Sequence, residues 1–327
     1  MSLKVGDVVE VLGAQEILAT LDERGELDEL PFMPEMLRYC GQRMTVHKVA
    51  HKLCDSITQT GLRRMARAVH LTGARCDGSA HGGCQTACSL YWKEQWLRRI
   101  EPGQLNLRRP EPLGKPNLPL LVNATTKGAD PDGQARYSCQ ATELLRAAPI
   151  CMPVLSLGQY VTDVRTGNVG PLLALRGLLV GVFNRIQVET RKRLPAKVLF
   201  KGGRNWGFLN AGQPGKTPTA KLNLQPGELV RIRTRAEIEA TLDDNLRNRG
   251  MSFDEEMAHF CGRTARVLAS VDRCIDERTG RMLHLGNPCI VLEGVICLGL
   301  YNGNCPREFV PFWREIWLER VEQSQPA

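Results

Sequence analysis

An internal repeat constrains the fold of this chain more than any other sequence feature. Adding 221 to each position from Gly6 to Glu101 leads to Gly227 through Glu322 without a gap, and roughly 30% of the aligned positions are identical. The segment LPFMPEMLRYCG aligns with MSFDEEMAHFCG, and YWKEQWLRRIE aligns with FWREIWLERVE. Because a fixed period indicates one supersecondary unit used more than once, the chain is expected to contain two copies of one module.

Each copy shows the alternation of apolar and polar residues that is typical of short strands. A short helix is predicted over 16–22, where Ile17, Leu18 and Leu21 share one face. In copy one the later β-type runs are 44–49, 68–73 and 91–100. Several short strands with few helices predict a mainly β, α+β chain. We expect two tandem SH3-like small barrels, at 1–101 and 226–327, joined by a partly helical basic connector at 102–225.

Two tryptophans recur in the repeat at a spacing of four residues. Trp92 and Trp96 of copy one align with Trp313 and Trp317 of copy two. On one continuous strand this spacing places both rings on the same face, so they are predicted to close the barrel core. A platform for stacking nucleic-acid bases is the alternative interpretation.

Several strings of the sequence resemble a known group of proteins. LPFMPEMLRYCG, CDGSAHGGCQTAC, RYSCQATELL, KTPTAKLNLQPGELV and FWREIWL resemble strings of uncharacterised bacterial proteins built from two cysteine-rich, SH3-like modules, and the likeness covers the whole chain. The resemblance implies the tandem-barrel architecture and no established activity. The opening GDVVEV is similar to the barrel of nitrile hydratase β subunits, and this short likeness implies the fold and not the chemistry.

The cysteines of copy one predict a metal site. The chain has 12 cysteines, and its N-terminus lacks the pattern of a secretory signal, so we expect a cytoplasmic protein with reduced thiols that bind metal rather than form disulfides. The glycine-rich stretch 76–88 can bend three thiolates towards one point. The predicted ligands are Cys54, Cys76, Cys84, Cys88 and His81, with His51 as a substitute. Zinc and an iron–sulfur cluster both fit these residue types, and the alternative is structural or redox thiols.

Copy two keeps only part of this set. The replacements are Ile275 for Cys54, Asn302 for His81 and Phe309 for Cys88. A second site is predicted from Cys289, Cys297 and Cys305 together with Cys274 or His284. The alternative is that copy two lost its site and that its cysteines pack in the core.

The connector carries the positive charge of the chain. The net charge is +8, and 102–225 contains 17 Lys and Arg against 6 Asp and Glu. An apolar helix is predicted over 170–188, and its uninterrupted apolar stretch is shorter than a membrane span, so no transmembrane helix is expected. The cations that follow are predicted to contact a protein partner or an anionic membrane surface; they are Arg191, Lys192, Arg193, Lys201 and Arg204. For the helix itself, packing between the two modules is the favoured interpretation and contact with a membrane surface is the alternative.

These features rank the functional hypotheses. The first is a metal-binding accessory protein, holding an iron–sulfur cluster or zinc and docking to a protein partner. The motifs of serine hydrolases, dinucleotide-binding folds and HExxH metalloproteases are missing from the sequence. A metal-dependent enzyme of unknown reaction is the alternative, because an open coordination position can bind a substrate. Nucleic-acid binding through the basic connector is a further alternative. The inner-membrane surface is the alternative location to the cytoplasm.

Overall fold

The computed structural model describes residues 2–101 and 118–321, and the chain divides into two compact units. The first unit extends to Leu175 and also includes Arg273–His284 and Asn304–Arg307. The second unit contains Arg176–Asp272, Leu285–Gly303 and the residues from Glu308 onwards. Strands in several sheets and a smaller number of helices make the chain an α+β protein, as its sequence predicts. The predicted division at 101 and 226 follows the repeat and stays a prediction about sequence modules.

The first unit is built around an antiparallel five-stranded sheet. Its strands are β1 Val8–Val11, β2 Glu26–Leu27, β3 Leu30–Pro31, β4 Arg43–Val49, β5 Lys52–Cys54, β6 Leu62–Arg64, β7 Ala68–Leu71, β8 Trp92–Lys93, β9 Leu97–Arg99, β10 Thr126–Ala129, β11 Ala135–Tyr137 and β12 Cys151–Met152. The large sheet has the order β8-β7-β4-β1-β9, and a second sheet has the order β12-β6-β5. The pairs β2-β3 and β10-β11 are separate two-stranded ribbons.

The first unit also contains several short helices. They are α1 Ala14–Leu18, α2 Leu118–Ala124, α3 Leu144–Ala147 and α4 Leu157–Thr166, with 3-10 helices at Pro34–Tyr39 and Glu94–Trp96. The run 91–100 is therefore not one strand, because the 3-10 turn separates β8 from β9. Trp92 and Trp96 are nevertheless fully buried, and Phe32 makes edge contacts with both rings. Burial of such large rings in one core is a main source of stability for a sheet of short strands.

The second unit has a four-stranded sheet of the same connectivity. The remaining strands are β13 Leu229–Ile232, β14 Arg247–Asn248, β15 Met251–Ser252, β16 Thr264–Ile275, β17 Met282–Leu292 and β18 Leu318–Arg320. The sheet order is β17-β16-β13-β18, and β14 pairs with β15. The helices are α5 Pro171–Arg191, which begins in the first unit, α6 Arg235–Glu239 and α7 Glu255–Ala258, with 3-10 helices at Ala196–Val198, Phe200–Gly203 and Glu315–Trp317. Strands β16 and β17 likewise contribute residues to both units.

The period of 221 residues is visible in the elements themselves. The bounds of β13, α6 and β18 are those of β1, α1 and β9 shifted by 221 positions. Thr20 accepts a hydrogen bond from the Trp96 indole at 3.1 Å, and Thr241 accepts the equivalent bond from Trp317 at 2.9 Å. Copy one has separate strands β4 and β5 where copy two has the continuous strand β16. The same core and the same strand register are thus built twice.

Helix α5 is longer than the apolar stretch from which it was predicted. It has 21 residues and includes Arg176. By length and composition it is the one helix among the described residues that could cross a membrane, a property that core helices of soluble proteins share. Several of its apolar side chains are exposed, including Leu172, Leu179 and Ile186. The helix therefore presents apolar surface that the described part of the chain leaves uncovered.

Candidate metal centre

The stretch 76–88 is a closed loop held by backbone hydrogen bonds. The Cys76 N–H donates to the carbonyl of Cys88 at 2.9 Å, and the His81 N–H donates to the carbonyl of Gly78 at 3.1 Å. Gly78 has a φ of +71°, and a Cβ there would lie 2.0 Å from the Cys84 carbonyl oxygen. Only glycine accepts both the conformation and the close approach. The loop therefore turns sharply enough to aim Cys76 and His81 at the same point.

Three side chains converge at that point. The Cys76 Sγ lies 3.2 Å from the Glu35 Oε1 and 3.4 Å from the His81 Nε2. Glu35 comes from the 3-10 helix Pro34–Tyr39, so a second element contributes to the group. One ligand atom from each residue lies within 4.8 Å of the others. Zinc bonds of about 2.0–2.3 Å in tetrahedral geometry place ligand atoms roughly 3.3–3.6 Å apart, so these separations suit a single zinc-sized ion.

Two polar atoms of this group lack hydrogen-bond partners although they are buried. The side chains of Glu35 and His81 are each 1% exposed. The Glu35 Oε2 and the His81 Nδ1 have no hydrogen-bond partner. A buried polar atom without a hydrogen-bond partner costs free energy, and native proteins rarely leave such atoms unsatisfied. The residues therefore fit a ligand that is positively charged and accepts lone pairs.

Burial also sets the protonation of the group. Burial, followed by the Glu35 carboxylate, raises the pKa of the Cys76 thiol. Burial lowers the pKa of His81 against the opposing effect of Glu35, so the imidazole is neutral at pH 7. A neutral imidazole is the form that binds metals, and a bound divalent ion deprotonates a coordinating thiol. Glu35 with a Cys76 thiolate would carry two negative charges, which balance one divalent cation.

The group borders a small cavity in which other thiols meet. The cavity has a volume of about 30 Å³, and five of its lining residues carry thiol or imidazole groups: Cys76, His81, Cys84, Cys88 and Cys139. The Cys88 carbonyl accepts the Cys76 N–H, so this cysteine lies beside the converging group. Cys88 is therefore our candidate for a fourth ligand. A space of this size corresponds to one water molecule or one ion.

Cys54 and Cys84, which the sequence predicted as ligands, have other contacts. The Cys54 N–H donates to the Cys305 Sγ at 3.0 Å, and a hydrogen bond between the two thiols lowers the pKa of Cys54 to about 7. The Cys84 Sγ accepts the Ile275 N–H at 3.4 Å and lies 3.2 Å from the Thr86 hydroxyl. His51, the substitute ligand, lies 2.8 Å from the Asp163 carboxylate.

The three predicted cysteines of copy two do not belong to one unit. Cys305 is part of the first unit, whereas Cys289 and Cys297 are part of the second. Cys289 is fully buried, and its sulfur accepts a hydrogen bond from Arg314 at 3.4 Å. Of the residues that the structure describes, only Glu35, Cys76 and His81 form a converging set of three candidate ligands. A second metal site in copy two stays a prediction.

Sequence reasoning missed Glu35 altogether and left Cys139 outside the predicted ligands. Glu35 is identical to Glu256 of copy two, and both directly precede a methionine in a segment that ends in a cysteine and a glycine. A carboxylate kept in both copies at a buried position was the signal that could have identified it. Cys139 lies in the connector, and no sequence pattern relates it to the loop.

The connector cations lie at and after the C-terminal end of α5. Arg191, Lys192, Arg193, Lys201 and Arg204 are all exposed. Arg191 donates to the Gly203 carbonyl, and Lys192 lies 3.2 Å from Glu189. Phe183 packs against Trp206 with ring centroids 5.2 Å apart, which fixes the segment after the helix to the helix itself. The cations are therefore held next to the exposed apolar side chains of α5.

Comparisons of this chain with protein-family models, with curated proteins and with solved structures find no match.

Proposed function

We propose that this protein is a metal-binding protein that holds one divalent ion, with zinc as the first choice, at Glu35, Cys76 and His81. The observation that carries the proposal is the buried group itself, in which a carboxylate and an imidazole each leave one atom without a hydrogen-bond partner. Cys88 is the proposed fourth ligand. When bound, the ion would supply the positive charge that the group otherwise lacks.

The donor set supports zinc over an iron–sulfur cluster. Zinc binds thiolate, imidazole and carboxylate ligands together, whereas iron–sulfur clusters are held almost entirely by thiolates. A cluster adds at least two irons and two sulfides, and the cavity of about 30 Å³ has space for one ion. Iron at this site is therefore the less favoured outcome of a metal analysis.

Burial supports an accessory role over catalysis. Catalytic zinc keeps one coordination position open to a substrate, whereas structural zinc is enclosed by four protein ligands. With the Glu35 and His81 side chains 1% exposed and Cys76 only partly exposed, little of the ion would be open to a substrate. The ion would instead fix the loop 76–88 to the 3-10 helix that carries Glu35.

Metal analysis of protein purified without chelators tests the proposal. We expect about one zinc per chain, and we expect Cys76→Ser, His81→Ala and Glu35→Gln each to reduce it to a small fraction. The matched controls are Cys297→Ser and Glu256→Gln, which change the aligned residues of copy two and should leave the zinc content unchanged. Circular dichroism verifies folding of each variant. Iron with sulfide, or no metal in folded wild-type protein, would contradict a zinc site.

The proposal includes the finer architecture of two tandem SH3-like barrels. The order β4-β1-β9 of copy one recurs as β16-β13-β18 in copy two, with equivalent registers around Val9 and Val230. Repeated antiparallel order around a buried tryptophan pair supports two small barrels of one type. An experimental structure in which either sheet lies open and flat would refute this part.

A second function, contact with an anionic membrane surface, is supported by α5. Leu172 is 83% exposed and Leu179 59%, and Phe200 in the following segment is 61% exposed. Exposed apolar side chains beside several cations are typical of interfacial segments, and they favour a membrane over a nucleic acid, which needs no leucines.

Sedimentation with lipid vesicles tests this second function. The protein should sediment with vesicles containing an anionic lipid and stay in solution with neutral ones. Leu179→Asp should weaken sedimentation, and Leu283→Asp, at an exposed leucine outside the helix, is the control. Equal binding to neutral vesicles, or salt-sensitive binding to DNA without vesicle binding, would argue against a membrane role.

A further inference from the structure

Within the first unit, each copy of the repeat donates one backbone N–H to a cysteine sulfur of the other copy. The Cys54 N–H donates to the Cys305 Sγ at 3.0 Å, and the Ile275 N–H donates to the Cys84 Sγ at 3.4 Å. Position 275 is the repeat counterpart of 54, and 305 is the counterpart of 84. The same bond is therefore made twice with the copies interchanged. In the contact between residues 54 and 305 both side chains are thiols. The contact between residues 275 and 84 has only the Cys84 thiol, because position 275 is isoleucine.

The thiols of Cys54 and Cys305 are in direct contact. Their side chains are joined by a hydrogen bond, and neither cysteine takes part in a disulfide. Cys305 is 4% exposed, whereas Cys54 is partly exposed. Two thiols in hydrogen-bond contact need only a small side-chain movement to form a disulfide. Cys54 is the more exposed residue of the two and so the one that a small oxidant reaches first.

Two cations act on this thiol pair. The Arg307 guanidinium donates to the Cys54 carbonyl at 3.4 Å and to the Ser56 hydroxyl at 2.7 Å, and its charge acts on the Cys54 thiol. The Lys52 ammonium is fully buried, lies 2.6 Å from Asp163 and acts on Cys305. Cations beside a thiol stabilise its thiolate, which is the nucleophilic form.

The pair does not belong to the converging ligand set. Among the described residues that set consists of Glu35, Cys76 and His81 and includes neither Cys54 nor Cys305. Two thiols with two neighbouring cations also suit an anionic thiolate better than a second divalent ion. The chemistry that fits the pair is therefore oxidation and reduction.

We propose that Cys54 and Cys305 are a redox-active dithiol that a hydroperoxide converts to an intramolecular disulfide. The Cys54 thiolate attacks one oxygen of the peroxide, the O–O bond breaks, and an S–O bond forms to give a sulfenic acid and hydroxide, which takes up a proton to become water. The Cys305 thiol then attacks the Cys54 sulfur, and the sulfenic oxygen leaves as a second water. In sum, two thiols and one hydrogen peroxide give one disulfide and two waters. A small thiol returns the pair to its reduced form by exchange.

Thiol counting on the full-length protein tests the proposal. The protein, as purified with its metal, is treated with one equivalent of hydrogen peroxide, alkylated, digested without reductant and analysed by mass spectrometry. We expect a peptide carrying Cys54 to be linked to one carrying Cys305, with the loss of two hydrogens, and the number of alkylated cysteines to fall by two. Cys54→Ser and Cys305→Ser should each prevent the link. Cys151→Ser, at an exposed cysteine outside the pair, should behave as the wild type.

The wild-type result alone decides the case if a variant fails to fold. Alkylation of both Cys54 and Cys305 after peroxide treatment, or a disulfide between other cysteines only, overturns the proposal. Loss of bound metal from folded Cys54→Ser or Cys305→Ser also overturns it, because the pair would then be a metal ligand set. Failure of the zinc site is distinguishable: a metal-free wild-type protein that still forms the 54–305 disulfide refutes the zinc proposal and supports the dithiol.

Discussion

The two copies of the cysteine-rich loop have the same backbone and different chemistry. In copy one Cys76 donates to the Cys88 carbonyl, and in copy two Cys297 donates to the Phe309 carbonyl at 2.7 Å. His81 is 1% exposed in the first loop, whereas its counterpart Asn302 is exposed in the second.

The loop can fold without the histidine and the second cysteine that only copy one has. Copy two keeps the turn with an amide and a phenyl ring where copy one has an imidazole and a thiol, so the backbone conformation does not depend on those ligands. The histidine and the extra cysteine of copy one therefore need another explanation, and the proposed metal site offers one.

The largest expected effect concerns what the copies share. Trp96 and Trp317 are both fully buried and occupy equivalent positions. Trp96→Ala and Trp317→Ala should each destabilise the unit that contains them by about 3–5 kcal/mol, because a large cavity replaces the ring. Hydrogen exchange followed by mass spectrometry measures the loss in each unit separately. A small effect at one site only would show that the two cores are not equivalent.

The next prediction exchanges the residues that differ at the loop. His81→Asn gives copy one the residue of copy two and should weaken zinc binding at least 100-fold, about 2.8 kcal/mol, because loss of a ligand exceeds the 10–100-fold cost of losing a residue that only supports one. Competition with a chromophoric chelator measures the affinity.

The reciprocal change is the control for that experiment. Asn302→His should create no second site, because position 302 is exposed and Phe309 stands where copy one has the proposed fourth ligand Cys88. A second zinc per chain in Asn302→His would mean that the copies differ by this one residue.

A third prediction tests whether the contact between residues 275 and 84 is equivalent to the contact between residues 54 and 305. Ile275→Cys places a thiol opposite Cys84, as Cys305 lies opposite Cys54. After peroxide treatment we expect a second disulfide and one fewer alkylated cysteine than in the oxidised wild type, because the added cysteine and Cys84 are both consumed. Leu283→Cys, an exposed position of β17, is the control and should form no link to Cys84. No 84–275 link in a folded Ile275→Cys protein would refute the equivalence of the two contacts.

The smallest expected effect concerns one hydrogen bond in each copy. Thr20→Val and Thr241→Val remove the acceptors of the Trp96 and Trp317 indole N–H groups while preserving shape. Each should cost about 1 kcal/mol, since one buried donor is left unsatisfied. Denaturant unfolding followed by circular dichroism measures the change, and a difference of more than about 1 kcal/mol between the two would distinguish the cores.

Much of the fold could be predicted from the sequence because the repeat and the local patterns carry it. The strands around Val9 and Val230 and the buried tryptophans follow from alternation and alignment. The helix predicted over 16–22 exists but covers Ala14–Leu18, since helix ends depend on contacts that a local pattern does not contain. The tandem SH3-like barrels stay part of the proposal.

The candidate site was only partly predictable. Cys76 and His81 could be identified because they lie in one glycine-rich loop. Glu35 comes from a 3-10 helix 41 positions before Cys76, and a carboxylate in an amphipathic segment is normally solvated. Cys305 lies 251 positions after Cys54, and the alignment of the copies gives no reason for residues of one to contact those of the other.

The distance along the chain between Cys54 and Cys305 has a consequence for biosynthesis. The residues Glu35, Cys76 and His81 have all left the ribosome soon after the first module is made. Cys305 follows Cys54 by 251 residues, which at about 5–20 residues per second takes on the order of 10–50 s. During that interval the nascent chain exposes Cys54 without its partner. Ribosome-bound chains that end before residue 305 should therefore lack the dithiol even when the first module has already folded.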